Sequence, residues 1–213
     1  MAAMELDKII SLSGLPILAF LLGSIPWGLV IARRITAIDI RKQGSGNIGA
    51  TNVVRLAGIR LGLLTLILDI FKGSVSVYLA MIVVGTGWQW SEGYISFVAL
   101  AVFLGHLYPV YLKFNNGGKG VATALGCFFI ISPGASAIII VIFFLTAWAS
   151  KRISVGSLIG SAALPAVVCW VTDSIAFCLC ALTVAVLIFI RHRENIKRLL
   201  SGTEPPFRSK PPC

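Results

Sequence analysis

Apolar residues in this chain come in long, unbroken runs separated by short polar stretches. The runs cover 9–32, 61–85, 94–112, 121–150, 155–171 and 174–190. A helix needs about 20 such residues to cross a hydrocarbon core of ~30 Å. Five of the runs read as single membrane spans. The fourth, 121–150, carries Ser132-Pro133-Gly134 at its middle. Proline disfavours helix in the residue before it, and Pro-Gly is a turn signal. The run is therefore one kinked helix or two short ones.

Charge decides between these. With two helices and the amino terminus outside, the inner segments hold Arg33, Arg34, Arg41, Lys42, Arg55 and Arg60, then Lys113 and Lys119, then Lys151 and Arg152. The tail with Arg191, Arg193, Lys197, Arg198, Arg208 and Lys210 is also inside, and the outer segments keep only Glu5, Asp7, Lys8, Glu92 and Asp173. A single helix would put Lys151 and Arg152 on the side opposite Lys113 and Lys119. Lys and Arg in short loops favour the cytoplasm. The expectation is an all-α membrane protein of seven transmembrane helices in a single domain, 1–213. Its amino terminus is periplasmic and its carboxyl terminus cytoplasmic. Residues 121–131 are short for the core, so that span extends into its loop or crosses a thinned region.

Composition agrees: 57% of the 213 residues are hydrophobic and 12% charged, with a mean hydropathy of +0.93. Soluble domains carry about a quarter charged residues. The net charge of +10 follows from the inward basic bias and from any anionic substrate. No basic module with interleaved aromatics appears, so nucleic acid is not an expected partner. Glu5 and Asp7 beside Lys8 leave no basic leader, and the first run is too long for a cleaved signal, so it is expected to remain as a helix. Cys127, Cys169, Cys178, Cys180 and Cys213 show no metal spacing, and their odd number argues against a disulfide framework. They read as small apolar packing residues.

The polar loops carry the chemistry. Gly44-Ser45-Gly46-Asn47-Ile48-Gly49 fits G-x-G-x-x-G, and Asp69 lies twenty residues past Gly49. A dinucleotide fingerprint must follow a buried strand, yet 38–43 is half charged, and Asp69 sits inside an apolar run. An anion site fits better. Glycines at 44 and 46 bring N–H groups close, and Ser45, Asn47, Thr51 and Asn52 are donors. A helix over 49–57, either a short interfacial helix or an extension of the second span, is capped by Asn47 and adds its positive end. Arg55 can return a guanidinium to the same face. The second loop, Asn115-Asn116-Gly117-Gly118-Lys119-Gly120, resembles a nucleotide P-loop but has Gly120 where a Ser or Thr should bind magnesium. What remains is a nest of N–H groups with one ammonium, suited to phosphate without metal. His106 precedes it, either as a phosphate ligand or bonded to a backbone carbonyl. The third loop, Arg191-His192-Arg193-Glu194-Asn195, places His192 and Asn195 on one helix face at i, i+3. Asp69 and Lys72, also i, i+3, read as a structural ion pair supporting the site.

At these loops the sequence becomes recognisable. GSGNIGATNVVR, GHLYPVYLKFNNGGKGVATALG and RHRENIKRLL closely resemble the three cytoplasmic motifs of the bacterial acyl-phosphate:glycerol-3-phosphate acyltransferase family. LLGSIPWGLVIAR and LDIFKG resemble it too, so the likeness spans almost the whole chain. It implies a multi-pass enzyme of the bacterial inner membrane with its active site on the cytoplasmic side. Such an enzyme moves a fatty acyl group from acyl phosphate to the 1-hydroxyl of sn-glycerol 3-phosphate. No cofactor is implied. Ser45, Arg55, Lys119, His192 and Asn195 would be the catalytic set, with Arg55 and Lys119 on phosphate groups. Gly44, Gly46, Asn47, Thr51, Asn52, His106, Gly117, Gly118 and Gly120 would bind substrate, with Asp69 and Lys72 in structural support. H-x-x-x-x-D and G-x-S-x-G are absent, and the aspartates lie too far apart for a metal-dependent phosphatidyltransferase motif. The rival reading is a small transporter of phosphorylated anions, suggested by the intramembrane Asp69 and Lys72 and by broken helices. A monomer is compatible with the pattern, and the oligomeric state stays open.

Overall fold

The computed structural model describes residues 2–85 and 88–207. Among them are ten α-helices and no strand. In chain order these are α1 (Ala2–Gly23), α2 (Trp27–Thr36), α3 (Ala50–Ala57), α4 (Ile59–Val84) and α5 (Ser91–Leu107), followed by α6 (Val121–Ile131), α7 (Pro133–Ser150), α8 (Ile153–Thr172), α9 (Ile175–Arg191) and α10 (Arg193–Leu200). Arg208, Lys210 and Cys213 lie outside the described residues.

Five segments are long and apolar enough to cross a membrane: Leu12–Thr36, Ile59–Val84, Ser91–Leu112, Pro133–Ser150 and Ile153–Thr172. A sixth is reached if α9 is joined to α10, which bends from it by 60°. Helix α6 is apolar but has only 11 residues, about half of what a full crossing needs.

The run 121–150 divides in two. Ser132 caps α7 by accepting from the Ala135 N–H at 3.3 Å, and Pro133 sits in the first turn, where its missing N–H costs nothing. The run 9–32 was expected to be continuous, yet it breaks at 24–26. Pro26 has no N–H to continue the ladder, and the Ser24 hydroxyl donates back to the Phe20 carbonyl at 2.8 Å. Lys72 of α4 makes the break tolerable. Its Nζ donates to the Gly23 and Ile25 carbonyls at 2.9 and 3.2 Å and lies 2.8 Å from Asp69 Oδ1, both side chains being buried.

Helix α1 packs against α4 and α5, α4 against α6, and α5 against α9, while α7–α8 and α8–α9 form hairpins. At the α4–α6 contact a side chain at Gly126 would overlap the Ile70 carbonyl, so the two backbones touch, as small residues allow in membrane helices. Val98, Val102, Phe103 and Val184 fill the centre. Trp148 is 84% exposed and Trp170 76%, while Asp69, Lys72 and His106 are buried. Apolar outside and ionisable inside is the distribution a bilayer permits.

The cysteines need one correction. Cys127 and Cys180 are free and buried, but Cys169 and Cys178 form a disulfide across the α8–α9 turn, with Cα atoms 5.1 Å apart. That separation is within the range a disulfide requires. Asp173, in a left-handed conformation, turns the chain so that two cysteines nine residues apart face each other, a pairing the count alone argued against.

Candidate active site

Three loops meet at one end of the bundle. The first follows α2. Asp39 pairs with Arg33 at 2.6 Å and Arg41 at 2.7 Å. Hydrogen bonds from Arg41 and Arg33 hold its carboxyl well below the usual carboxylate range. Gly44 and Gly46 have φ of +61° and +68°, a region that favours glycine, and Gly46 N–H is taken by the Gln43 carbonyl. Asn52, 1% exposed, is the centre of this loop. Its Nδ2 donates to the carbonyls of Ile40, Asn47 and, at 3.3 Å, Gln43, and its Oδ1 accepts from Ser45 N–H at 3.0 Å. The carboxamide expected to meet substrate is engaged by backbone, which makes Asn52 a positioning residue. Asn47 does not cap α3 as anticipated. Its Oδ1 accepts from Gly49 N–H at 2.8 Å, and Gly49 itself is the cap residue. Helix α3 then carries Thr51 and Arg55 to a cavity wall. Arg55 Nε is buried without a protein acceptor, the state of a cation waiting for an anion.

The second loop precedes α6. Gly118 N–H donates to the His106 carbonyl at 3.0 Å, and a side chain at Gly118 would overlap the His106 imidazole. His106 Nδ1 stands 2.9 Å from Lys72 Nζ and 3.6 Å from Asp69 Oδ1. The His106 ring thus joins the network that closes the break between α1 and α2. Arg191, at the end of α9, donates from Nε to the Gly118 carbonyl at 3.1 Å and from Nη2 to the Gly117 carbonyl. Its guanidinium lies 5.8 Å from the Tyr108 ring centre, a cation–π distance. Gly120, at φ +86°, opens α6. Gly44, Gly46, Gly117 and Gly118 do not line the cavity, whereas Gly120 does. These four glycines shape and anchor the loops that present Ser45 and Lys119.

The third loop is the bend between α9 and α10. His192 sits in it, 2% exposed. Its Nδ1 donates to the Ile188 carbonyl at 2.8 Å, because a carbonyl can only accept. In the neutral ring Nε2 therefore carries the lone pair. Lys119 Nζ donates to Asn195 Oδ1, and Asn195 Nδ2 donates to Glu204 Oε1 at 2.7 Å. Arg198 Nε pairs with Glu204 Oε2 at 2.7 Å, and Arg152 Nε donates to the Glu204 carbonyl at 3.1 Å. Burial raises the Glu204 carboxyl, but hydrogen bonds from neighbours including Asn195 and Arg198 outweigh it and hold the group low. Burial, with the cations Arg198, Arg55 and Arg191, lowers Lys119 to about 8 against the pull of Glu204. Arg191 and Glu204 were not singled out from sequence. Glu204 had one signal, an acid isolated in a basic tail.

Ser45, Asn47, Thr51, Asn52, Arg55, Asp69, His106, Lys119, Gly120, His192, Asn195 and Glu204 all line one cavity of about 470 Å³. Most of the rest of its wall is apolar, with Leu63, Leu66, Leu125, Phe128, Ile139, Phe143 and Leu164 from α4, α6, α7 and α8, joined by the hydroxyls of Ser136 on α7 and Ser154, Ser157 and Ser161 on α8. A cationic, hydrogen-bonding region thus opens into an apolar chamber. That combination suits a ligand with an anionic head and an apolar tail. Among the described residues no three His, Cys, Asp or Glu side chains gather as a metal site.

Known proteins resemble this chain along most of its length. The family model described as glycerol-3-phosphate acyltransferase matches residues 14–202. A protein of Syntrophotalea carbinolica named glycerol-3-phosphate acyltransferase is 45% identical over 191 residues, covering 90% of this chain and 95% of that one. A protein of that name from Geobacter sulfurreducens is 44% identical over 195 residues, covering 90% and 95%. Among solved structures, the glycerol 3-phosphate form of PlsY (YgiH), an integral membrane glycerol 3-phosphate acyltransferase, matches with a TM-score of 0.85. It is 36% identical and covers 92% of this chain and 95% of that one. Its lysophosphatidic acid form matches with a TM-score of 0.81. Matched by this family model over residues 14–202 and by relatives at about 45% identity across nine-tenths of its length, the chain belongs to the glycerol-3-phosphate acyltransferase family.

Proposed function

We propose that this protein transfers a fatty acyl group from acyl phosphate to the 1-hydroxyl of sn-glycerol 3-phosphate, the first acylation of phospholipid synthesis. The observation that carries the reading is the single cavity joining Arg55, Lys119 and His192 to an apolar chamber. Both substrates are phosphorylated, and one brings a long apolar tail. Arg55 and Lys119 hold the phosphates, while Ser45 and Thr51 offer hydroxyls at the cavity wall.

Acyl phosphate is already activated, so the protein's task is alignment and charge stabilisation. The glycerol hydroxyl oxygen attacks the acyl carbonyl carbon, and the bond from that carbon to the phosphate oxygen breaks. Inorganic phosphate leaves and takes the hydroxyl proton, directly or by way of His192 Nε2. No protein nucleophile is required, and an acyl-enzyme on Ser45 would overturn direct transfer. Seven segments, α1 with α2 and then α4 to α9 without a further break, cross a bacterial inner membrane with the amino terminus outside. The three loops then face the cytoplasm. The transporter reading loses its main support, since Asp69 and Lys72 serve the break between α1 and α2.

Purified protein given acyl phosphate and glycerol 3-phosphate should release phosphate and form lysophosphatidic acid without acyl-CoA. Arg55→Ala and Lys119→Ala should each lower kcat/KM by about 100-fold or more, the scale of lost charge stabilisation, with membrane insertion unchanged. Absence of phosphate release by the wild type sinks the proposal.

A further inference from the structure

The apolar chamber is bounded on one side by the α7–α8 hairpin, and α8 carries two glycines one turn apart with different surroundings. A side chain at Gly156 would come within 2.7 Å of the Phe143 carbonyl and 2.8 Å of Ala147 Cβ, so helix packing itself requires glycine there. At Gly160 a Cβ would meet Ile139 Cγ2 at 3.6 Å, Phe143 Cβ at 3.8 Å and the Ile139 carbonyl at 3.9 Å, all of them ordinary contacts. Packing therefore does not demand glycine at 160. The position lines the chamber, as do Ile139 and Phe143. What glycine preserves at 160 is chamber space.

The helices run antiparallel here, so depth can be read along them. The polar end is marked by Arg152, which holds Glu204. Gly160 lies eight residues further, about 12 Å along the axis at 1.5 Å per residue. An extended hydrocarbon chain built of ~1.5 Å bonds advances about 1.25 Å per carbon, so Gly160 stands beside roughly the tenth carbon of a bound tail. Ser136, three residues beyond Ile139 on α7, lies about 4.5 Å deeper. It lines the same chamber, is 1% exposed, and its hydroxyl has no partner in the protein.

We propose that the residue at 160 sets the longest acyl chain this enzyme accepts, with Ser136 marking a second, deeper limit. The inference rests on the acyltransferase reading and adds a depth scale to it. Filling position 160 closes the chamber at about ten carbons, and filling position 136 closes it a few carbons later.

The test is kcat/KM, read as phosphate release, with acyl phosphates of eight, twelve and sixteen carbons. Gly160→Phe should retain turnover of the eight-carbon donor and lose at least about tenfold with sixteen carbons, each misplaced methylene costing on that order. Ile159→Phe, on the neighbouring outward-facing residue, should keep the wild-type profile. If Gly160→Phe keeps the wild-type ratio between lengths, the proposal is wrong. Should Gly160→Phe be inactive with every donor, Ser136→Leu decides. It must lose sixteen carbons while keeping eight, and an equal loss at all lengths overturns the proposal. A wild type inactive with every acyl phosphate would instead defeat the acyltransferase reading.

Discussion

Asn52 shows how much of a site can hang on a side chain that need not touch substrate. Its carboxamide holds the backbone of the first loop at Ile40, Gln43, Ser45 and Asn47. Asn52→Ala leaves several buried backbone groups unpaired, each costing about 1–3 kcal/mol. The variant should unfold earlier in a thermal melt in detergent and show a raised KM for glycerol 3-phosphate. Unchanged values for both would remove this role. Lys119 gives a pH prediction. Its folded pKa is lowered to about 8, and the charged form is the one that grips phosphate. The kcat/KM of the free enzyme should therefore fall as pH rises through about 8. Lys119→Arg, always charged, should lose that alkaline limb even if its rate is low. Arg55 and Lys119 stood out in sequence because they interrupt apolar and glycine-rich contexts, and His192 and Asn195 because their i, i+3 spacing puts them on one helix face. Arg191 was not, because a basic residue after a final span is already explained by topology. Its grip on the Gly117 and Gly118 carbonyls exists only in three dimensions.

At the scale of elements, two prolines in the first apolar run have opposite outcomes. Pro16 lies inside α1 without ending it, and Pro26 lies in the break itself, just before α2. Local sequence does not separate them. The difference is the partner, since the open carbonyls at 23 and 25 meet Lys72 from a helix about fifty residues away. The division of 121–150, by contrast, was legible because Ser132 and Pro133 form a complete local start signal. Lys72→Met should destabilise strongly, by about 3–5 kcal/mol, because it strands Asp69 as an unpaired buried charge. The double change Asp69→Asn with Lys72→Met should recover part of that loss in the same melt. Additive losses would show that the two do not act as a pair.

For the molecule as a whole, apolar length and inward charge suffice to read a helical membrane protein, while the crossing count does not follow from length. Helix α6 is too short, and α9 passes only when joined to α10. The Cys169–Cys178 bond across the α8–α9 turn supplies an independent compass. Disulfides persist in oxidising compartments and are rare in the cytosol. In the proposed orientation this turn lies on the oxidising side of the membrane, and Lys119 and His192 on the reducing side, so the bond is a test of that orientation. Thiols trapped with an alkylating reagent before cell lysis should leave Cys169 and Cys178 unmodified until a reductant is added. A membrane-impermeant reductant applied to intact spheroplasts should suffice to expose them. If both react without reduction, the turn faces the cytoplasm or the bond does not form in the cell. One covalent link thus turns a question of orientation into a measurement of redox compartment.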